Sequence, residues 1–416
     1  MSISIPVHAS LTERFRLHLA TEGYSASIQR RYATLACHFL DYCDRERLSP
    51  EAVRPAHVTK YLRRRYRHHR RRHGESPPFH KWQWQYTGAV HMLLRLVYGK
   101  WPVADPPATV REAFHRDIVQ DYDTWLCDLR GLRPETRTKR TKHALWFLTS
   151  LGPRADKEAL ADLSIRDIDA YLKQCCSGLR RASIEDRTVC LRDFLRYLYG
   201  RRQVATDFSG MVIGPRIYEL ESIPSALRAE EVLRVLEVTR EDRSPVGLRD
   251  YAILMLLATY GLRAAEIVRL RLEDIDWRRN VLRVRHSKTG TYSELPLLHE
   301  PGEAVIRYLQ KGRPASAHRE VFLRAHAPRS PFKGGSILNC VTSARLKTAG
   351  VTPQGRHGPH AFRHARAVSL LRSGVPLKVI GDVLGHTTAA ATAVYLKLAT
   401  EDLRAVGLEL PSGVLP

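Results

Sequence analysis

The chain has no C-x-x-C pair, and its seven cysteines, Cys37, Cys43, Cys127, Cys175, Cys176, Cys190 and Cys340, are odd in number. That spacing argues against a disulfide framework and against a structural metal site, and reads as reduced, mostly buried thiols. Long apolar runs are also missing: the longest, Tyr251–Tyr260, is about half a membrane span. The first residues, Met-Ser-Ile-Ser-Ile-Pro, have no charged segment leading into an apolar one, so a soluble cytoplasmic protein is expected. Carboxylates are not clustered as a two-metal nuclease would need, and no cofactor and no metal are expected. Acids are scarce overall, 43 Asp and Glu against 67 Lys and Arg, for a net charge of +24. Such an imbalance points first to a polyanionic partner, with membrane surfaces and ribosomal RNA as competitors.

What is present is a long, ordinary globular composition: 416 residues, 44% hydrophobic and 26% charged, enough for two to four domains. Apolar residues recur at three-to-four spacing through the first half, in Phe15–Leu19, Tyr32–Tyr42 and Leu93–Tyr98. The pattern returns in Trp125–Leu129, Leu145–Leu151, Ile168–Leu172 and Leu191–Leu198. The two sets read as copies of one helical unit. Gly23 and Phe39-Leu40 match Gly131 and Phe147-Leu148 at an offset of 108, Tyr61-Leu62 match Tyr171-Leu172 at 110, and Arg95 and Tyr98-Gly99 match Arg196 and Tyr199-Gly200 at 101. Copy one therefore carries nine extra residues, within or beside residues 60–80.

Those residues are distinctive. Lys60, Arg63, Arg64, Arg65, Arg67, Arg70, Arg71 and Arg72 fall in one acid-free stretch, with Phe79, Trp82, Trp84 and Tyr86 behind it. The stretch reads as a DNA-contacting arm that neutralises phosphates, or else as a solvated helix face. In the second copy, Arg137, Lys139, Arg140 and Lys142 are candidates for the same role. Gly and Pro without helical period mark residues 204–224 as a linker. The expected division is 1–110, an extra helical domain and possible copy of the next; 111–203, a helical DNA-binding domain; 204–224, the linker; and 225–416, a catalytic domain.

Past the linker, helices are expected over Leu227–Val238, Leu248–Thr259, Arg363–Arg372, Pro376–Leu384 and Thr388–Leu398, with a last short one over Thr400–Val406. The alternation Val281–Arg285 and the run Ser293–Leu298 flank Thr289-Gly290-Thr291 and predict a hairpin. The fold class is thus mainly α with a small antiparallel β-sheet.

In order along this half lie Arg263, Lys288, His360, Arg363, His386 and Tyr395. Attack on a phosphodiester needs a nucleophile, groups that hold the charge growing on the non-bridging oxygens, and an acid for the leaving oxygen. A tyrosine, with a free pKa of about 10, serves as nucleophile when cations or a base activate it. Arginine forks suit the phosphate oxygens, and lysine and histidine suit the proton transfers. Taken singly, each residue has an ordinary structural explanation; His68 and His69 alone supply two further H-x-x-R matches.

Their order and contexts resemble the phage integrase family, the tyrosine recombinases. Thr259–Ile267 resembles the motif of that family's first catalytic arginine, here Arg263, with Glu266 at the acidic position that braces the site. His286-Ser287-Lys288-Thr289-Gly290 resembles the hairpin bearing the catalytic lysine. His357–His364 resembles the second motif, with His360 and Arg363, and Leu384-Gly385-His386 with Tyr395 nine residues on resembles the third. The resemblance covers roughly Pro224 to Leu410, with residues 115–203 resembling the family's core-binding domain. It implies a site-specific recombinase that cleaves and rejoins DNA through a 3′-phosphotyrosyl intermediate and a Holliday junction, without metal or ATP. It further implies a C-shaped clamp on double-stranded DNA with inverted half-sites, a synaptic homo-tetramer or an assembly with sister recombinases, and residence on the nucleoid. Type IB topoisomerases, telomere resolvases and a catalytically silent DNA-binding descendant remain alternatives. The departure from the family is the extra copy at residues 1–110.

Overall fold

A computed structural model of the chain describes residues 8–218, 226–286, 290–353, 358–386, 388, 392–393 and 395–396. The chain divides into two compact units, one of residues 102–221 with 54–57, the other of residues 1–53, 58–101 and 222–416. Residues 1–53 and 58–101 are thus grouped with the C-terminal half, although the main hydrophobic core of that half is built from buried residues between Leu227 and Phe362, with a smaller cluster of Ala367, Ile380, Leu384 and Tyr395.

The first helical set comprises α1 (Ala9–Thr21), α2 (Ala26–Arg45), α3 (Pro55–His73), α4 (Phe79–Trp82) and α5 (Trp84–Tyr98). The second comprises α6 (Val110–Asp128), α7 (Pro134–Leu151), α8 (Ile165–Cys176) and α9 (Arg181–Gly200). Local chemistry sets several starts: the Ser25 hydroxyl accepts from Ile28 N ahead of α2, and Thr109 accepts from Glu112 N ahead of α6. The two sets pack alike inside. Phe39 meets Tyr61 edge to face at 5.1 Å and 74°, and Phe147 meets Tyr171 at 5.1 Å and 71°. Gly23 and Gly131, at matching turns, both have positive φ. Val90, Leu93 and Leu94 are buried on α5, as are Leu191, Phe194 and Leu195 on α9.

The linker expected over 204–224 is not wholly a linker. Val204, Phe208 and Val212 are buried in the core of the 102–221 unit, so apolar burial holds its first half against α6–α9. Residues 219–225 lie outside the described residues.

The C-terminal half is built around α11 (Pro245–Tyr260), with α10 (Ala229–Glu241), α13 (His299–Lys311) and α15 (Pro359–Arg372) packed against it. Residues Ala252–Leu257 are buried without a break, which is why this segment is apolar all round rather than striped. Ser244 caps α11 by accepting from Gly247 N, and Gly261, in the left-handed conformation at φ 63°, ends it. The half is completed by α12 (Ala264–Arg269), α14 (Ile337–Thr348) and α16 (Leu377–Leu384).

Three short antiparallel strands, β1 (Ile275–Asp276), β2 (Val281–Arg285) and β3 (Tyr292–Pro296), lie in the order β1-β2-β3, with Arg285 opposite Tyr292. Leu282 and Val284 point inward, while Arg283 pairs with Glu294 across the outer face at 3.0 Å. The second strand ends two residues sooner than the sequence run suggested, because the chain after Pro296 turns to enter α13. The expected helix over Thr400–Val406 and most of that over Thr388–Leu398 lie outside the described residues. Among the described residues no helix is long and apolar enough to cross a membrane.

Candidate active site

Two helix ends create the site. The last carbonyls of α11 and α16 have no partner within their own helices and carry the negative end of the helix dipole. Arg363, on α15, donates from Nη1 to Gly261 O (2.7 Å) and from Nη2 to Leu384 O (2.6 Å), tying both ends together. Arg263 lies two residues after Gly261, and its Nη2 donates to the carbonyl after Leu384 O, Gly385 O (3.0 Å). Adjacent peptide carbonyls therefore hold two guanidinium groups side by side.

Glu266 fixes Arg263 further. Its carboxylate accepts from the Arg263 backbone N–H (2.8 Å) and from Nη1 (2.9 Å), closing the N-terminus of α12. His286 Nδ1 lies 3.1 Å from the same carboxylate, and His286 Nε2 lies 2.7 Å from Ser293 Oγ on β3. Burial pushes the Glu266 carboxyl upward, but hydrogen bonds from Arg263 and His286 outweigh it and hold the group below its usual range. Gly385 sits in the left-handed conformation at φ 62°, and any β-carbon there would overlap the His286 ring.

Tyr395 is buried, at 2% exposure. Its hydroxyl lies 3.3 Å from His364 Nδ1, and its ring stacks against His386 at 6.1 Å and 11°. His386 Nδ1 lies 2.8 Å from Thr392 Oγ1, and Tyr395 N donates to Thr392 O, so Thr392 links the His386 ring to Tyr395. Burial raises the Tyr395 pKa, against the opposing pull of Arg363 and Arg263. Burial, followed by repulsion from Arg263, pulls the Arg363 pKa down to about 10. Two cations held together in a desolvated place leave a site short of an anion.

The structure thus brings together Arg263, Glu266, Arg363, His386 and Tyr395. His360 is exposed and one turn before His364, their rings 6.2 Å apart. Lys288, which falls between β2 and β3 in the sequence, lies outside the described residues. Two site residues had been given no role from the sequence. One is His364, whose Nδ1 faces the Tyr395 hydroxyl; its i,i+4 spacing from His360 was the available signal. His286 continues the inward parity of Leu282 and Val284, and a polar side chain at an inward strand position was the signal there.

The basic residues expected on DNA divide sharply. Lys60 and Arg64 both pair with Glu46, at 2.6 and 3.2 Å, and Arg65 lies over the Tyr86 ring at 4.7 Å. Arg137 pairs with Asp123 (3.3 Å), Lys139 with Asp186 and Arg140 with the buried Asp193, while Lys142 lies over Trp146 at 4.6 Å. All four second-copy candidates are engaged inside the protein. Arg63, Arg67, Arg70, Arg71 and Arg72 have no carboxylate within ion-pair distance among the described residues and are exposed.

Known proteins share this arrangement's sequence. The profile described as Phage integrase family matches residues 225–402. The chain is 54% identical over 189 residues to Putative integrase/recombinase y4gC of Sinorhizobium fredii (strain NBRC 101917 / NGR234), covering 45% of this chain and 97% of that one. It is 37% identical over 293 residues to Putative integrase/recombinase y4rA of the same organism, covering 70% of each. Tyrosine recombinase XerD of Lacticaseibacillus casei is 28% identical, over 70% of this chain and 96% of its own. Among solved structures, a lambda integrase dimer bound to a COC′ core site matches with a TM-score of 0.53 at 19% identity, over 79% of this chain and 89% of that one. That likeness is one of fold. The match to y4rA across more than two-thirds of both chains, together with the profile, shows that the chain belongs to the phage integrase family, the tyrosine recombinases, which are site-specific DNA recombinases.

Proposed function

We propose that the chain cleaves and rejoins DNA with Tyr395 as the nucleophile, through a 3′-phosphotyrosyl intermediate and, on synapsed sites, a Holliday junction. The observation that carries this reading is the pair of half-buried Arg263 and buried Arg363 beside the Tyr395 phenol. A scissile phosphate between them supplies the missing anion, and each guanidinium keeps donors beyond those given to the helix carbonyls. Tyr395 Oη bonds to phosphorus as the P–O5′ bond breaks. The phenol proton passes to the His364 and His360 side of the site, and Lys288 protonates the departing 5′ oxygen. His386 donates to a phosphate oxygen. Such fixed donors are worth most where charge grows in the transition state, on the order of 3–4 kcal/mol each. The phosphotyrosyl ester keeps the bond energy, so a 5′ hydroxyl reverses the step with no nucleotide cofactor.

The partner is double-stranded DNA with inverted half-sites, bound by a tetramer of this chain or by this chain with sister recombinases. Lambda integrase solved as a tetramer bound to a Holliday junction, 20% identical to this chain with a TM-score of 0.52, is an assembly of that kind. A suicide half-site, nicked so that the cleaved 5′ end diffuses away, traps the covalent adduct. Adduct in magnesium-free, ATP-free buffer supports the reading, and a strict need for either contradicts it.

A further inference from the structure

We propose that the second half of α3 is a rigid arginine prong that grips the phosphate backbone of duplex DNA without reading its sequence. The inference rests on the reading of the chain as a DNA strand-transfer enzyme and concerns a surface remote in sequence from Tyr395.

The helices α3 and α8 match through Val58 and Ile168 and through Tyr61 and Tyr171, pairs buried alike and 110 residues apart. At that offset the end of α8, Cys176, corresponds to Tyr66. Helix α3 runs on to His73, and its added turns hold Arg67, His68, His69, Arg70, Arg71, Arg72 and His73, with no acid. Nothing in α3 beyond Leu62 is fully buried, so a hydrophobic core does not hold these turns. Something else does. Tyr66 packs on Phe79 (5.4 Å) and Trp82 (5.1 Å) and donates from its hydroxyl to Pro77 O (2.9 Å), while His69 packs on Trp82 (5.6 Å). The segment that braces the extension is the sequence following it, and the nine residues absent from the second copy fall within these two stretches.

Helical geometry then sorts the side chains. Tyr66, His69 and His73, at i, i+3 and i+7, form the braced face. Arg63, Arg67, Arg70 and Arg71, at i, i+4, i+7 and i+8, form a separate exposed stripe. An open groove of about 1290 Å³ is lined by Tyr66, Arg67, Arg70 and Arg71 on one side and by residues 74–78, Glu75 among them, on the other. The stripe is roughly 12 Å long at 1.5 Å per residue, comparable with a major groove about 12 Å wide. Exposed like charges this close repel one another, and a polyanion relieves that repulsion. In the second copy the basic residues of α7, Arg137, Lys139 and Arg140, are answered by Asp123, Asp186 and Asp193. In this prong they are left for a partner, and guanidinium groups favour phosphate.

Four phosphate contacts contribute about 3.6 to the slope of log binding constant against log salt, at about 0.9 per contact. Between roughly 50 and 200 mM salt, that amounts to about 150-fold in affinity. The test uses the full chain carrying Tyr395→Phe, so that cleavage does not pull the equilibrium, and a duplex of arbitrary sequence. Arg63, Arg67, Arg70 and Arg71 are changed together to Gln. A second protein carries Lys60→Gln and Arg64→Gln, the charges already answered by Glu46. A slope that falls by about 3–4 in the first protein and by less than one in the second is expected. Unchanged slopes in the first, with its circular dichroism spectrum and melting curve intact, overturn the proposal. So does a loss of self-association at unchanged DNA binding, which would make the prong a protein-docking element. Adduct formation by the chain with its prong and Tyr395 intact reports separately on strand transfer, so the two readings fail independently.

Discussion

Changing Gly385 to Ala tests whether the site is locked from behind. Two costs add. The residue has φ 62° and ψ 47°, a conformation that costs an L-amino acid about 1–2 kcal/mol. A β-carbon there also overlaps the His286 imidazole, which Glu266 and Ser293 hold from two sides and which therefore cannot swing away cheaply. Overpacking of this kind costs about 1–3 kcal/mol, for a total near 2–5 kcal/mol. Gly374 supplies the control, with φ 76° and open space where its β-carbon would lie, so Gly374→Ala costs only the backbone part, about 1–2 kcal/mol. Both variants are compared by urea denaturation and by the rate of covalent adduct on a suicide half-site. Gly385→Ala also displaces the carbonyl that accepts from Arg263, so its adduct rate falls by more than its stability loss alone explains. Equal destabilisation by the two variants, with equal adduct rates, would refute the packing of His286 on Gly385.

Two further perturbations probe neighbouring groups. Because the Glu266 pKa is lower in the folded protein than in the unfolded chain, its ionised form stabilises the fold above the usual carboxylate range, and that stabilisation is lost as pH falls through the lowered value. Glu266→Gln is therefore less stable at neutral pH and loses less on acidification, which urea midpoints from pH 7 to pH 3 record. His364→Ala slows single-turnover adduct formation by about 10²–10⁴-fold, the usual worth of a positioned proton acceptor. His360→Ala costs less, and the reverse order would move the phenol's partner to His360.

The legible and illegible parts of this chain differ in the range of the forces behind them. The hairpin followed from alternation along Val281–Arg285, and α11 from an unbroken apolar run, because period and burial are local properties of sequence. Arg263, Arg363, His386 and Tyr395 could be picked out together only through their order; the carbonyls of Gly261, Leu384 and Gly385 that align the two guanidiniums are backbone atoms with no sequence signature. Which basic residues are engaged was hidden for a different reason. Arg140 finds Asp193 53 residues away, and Lys60 finds Glu46 14 away, pairings that only the folded chain creates. The segment after Val204 read as linker because Gly210 and Pro215 broke its period, yet Val204, Phe208 and Val212 recur every four residues and are buried.

The central claim is that Tyr395 forms the covalent bond to DNA. Wild type and Tyr395→Phe are incubated with a suicide half-site labelled on the 5′ side of the nick, without divalent metal or ATP, and resolved on a denaturing gel. A labelled, protease-sensitive adduct is expected with the wild type and none with Tyr395→Phe, whose binding to intact DNA is unchanged. Adduct persisting in Tyr395→Phe would place the nucleophile elsewhere and contradict the account.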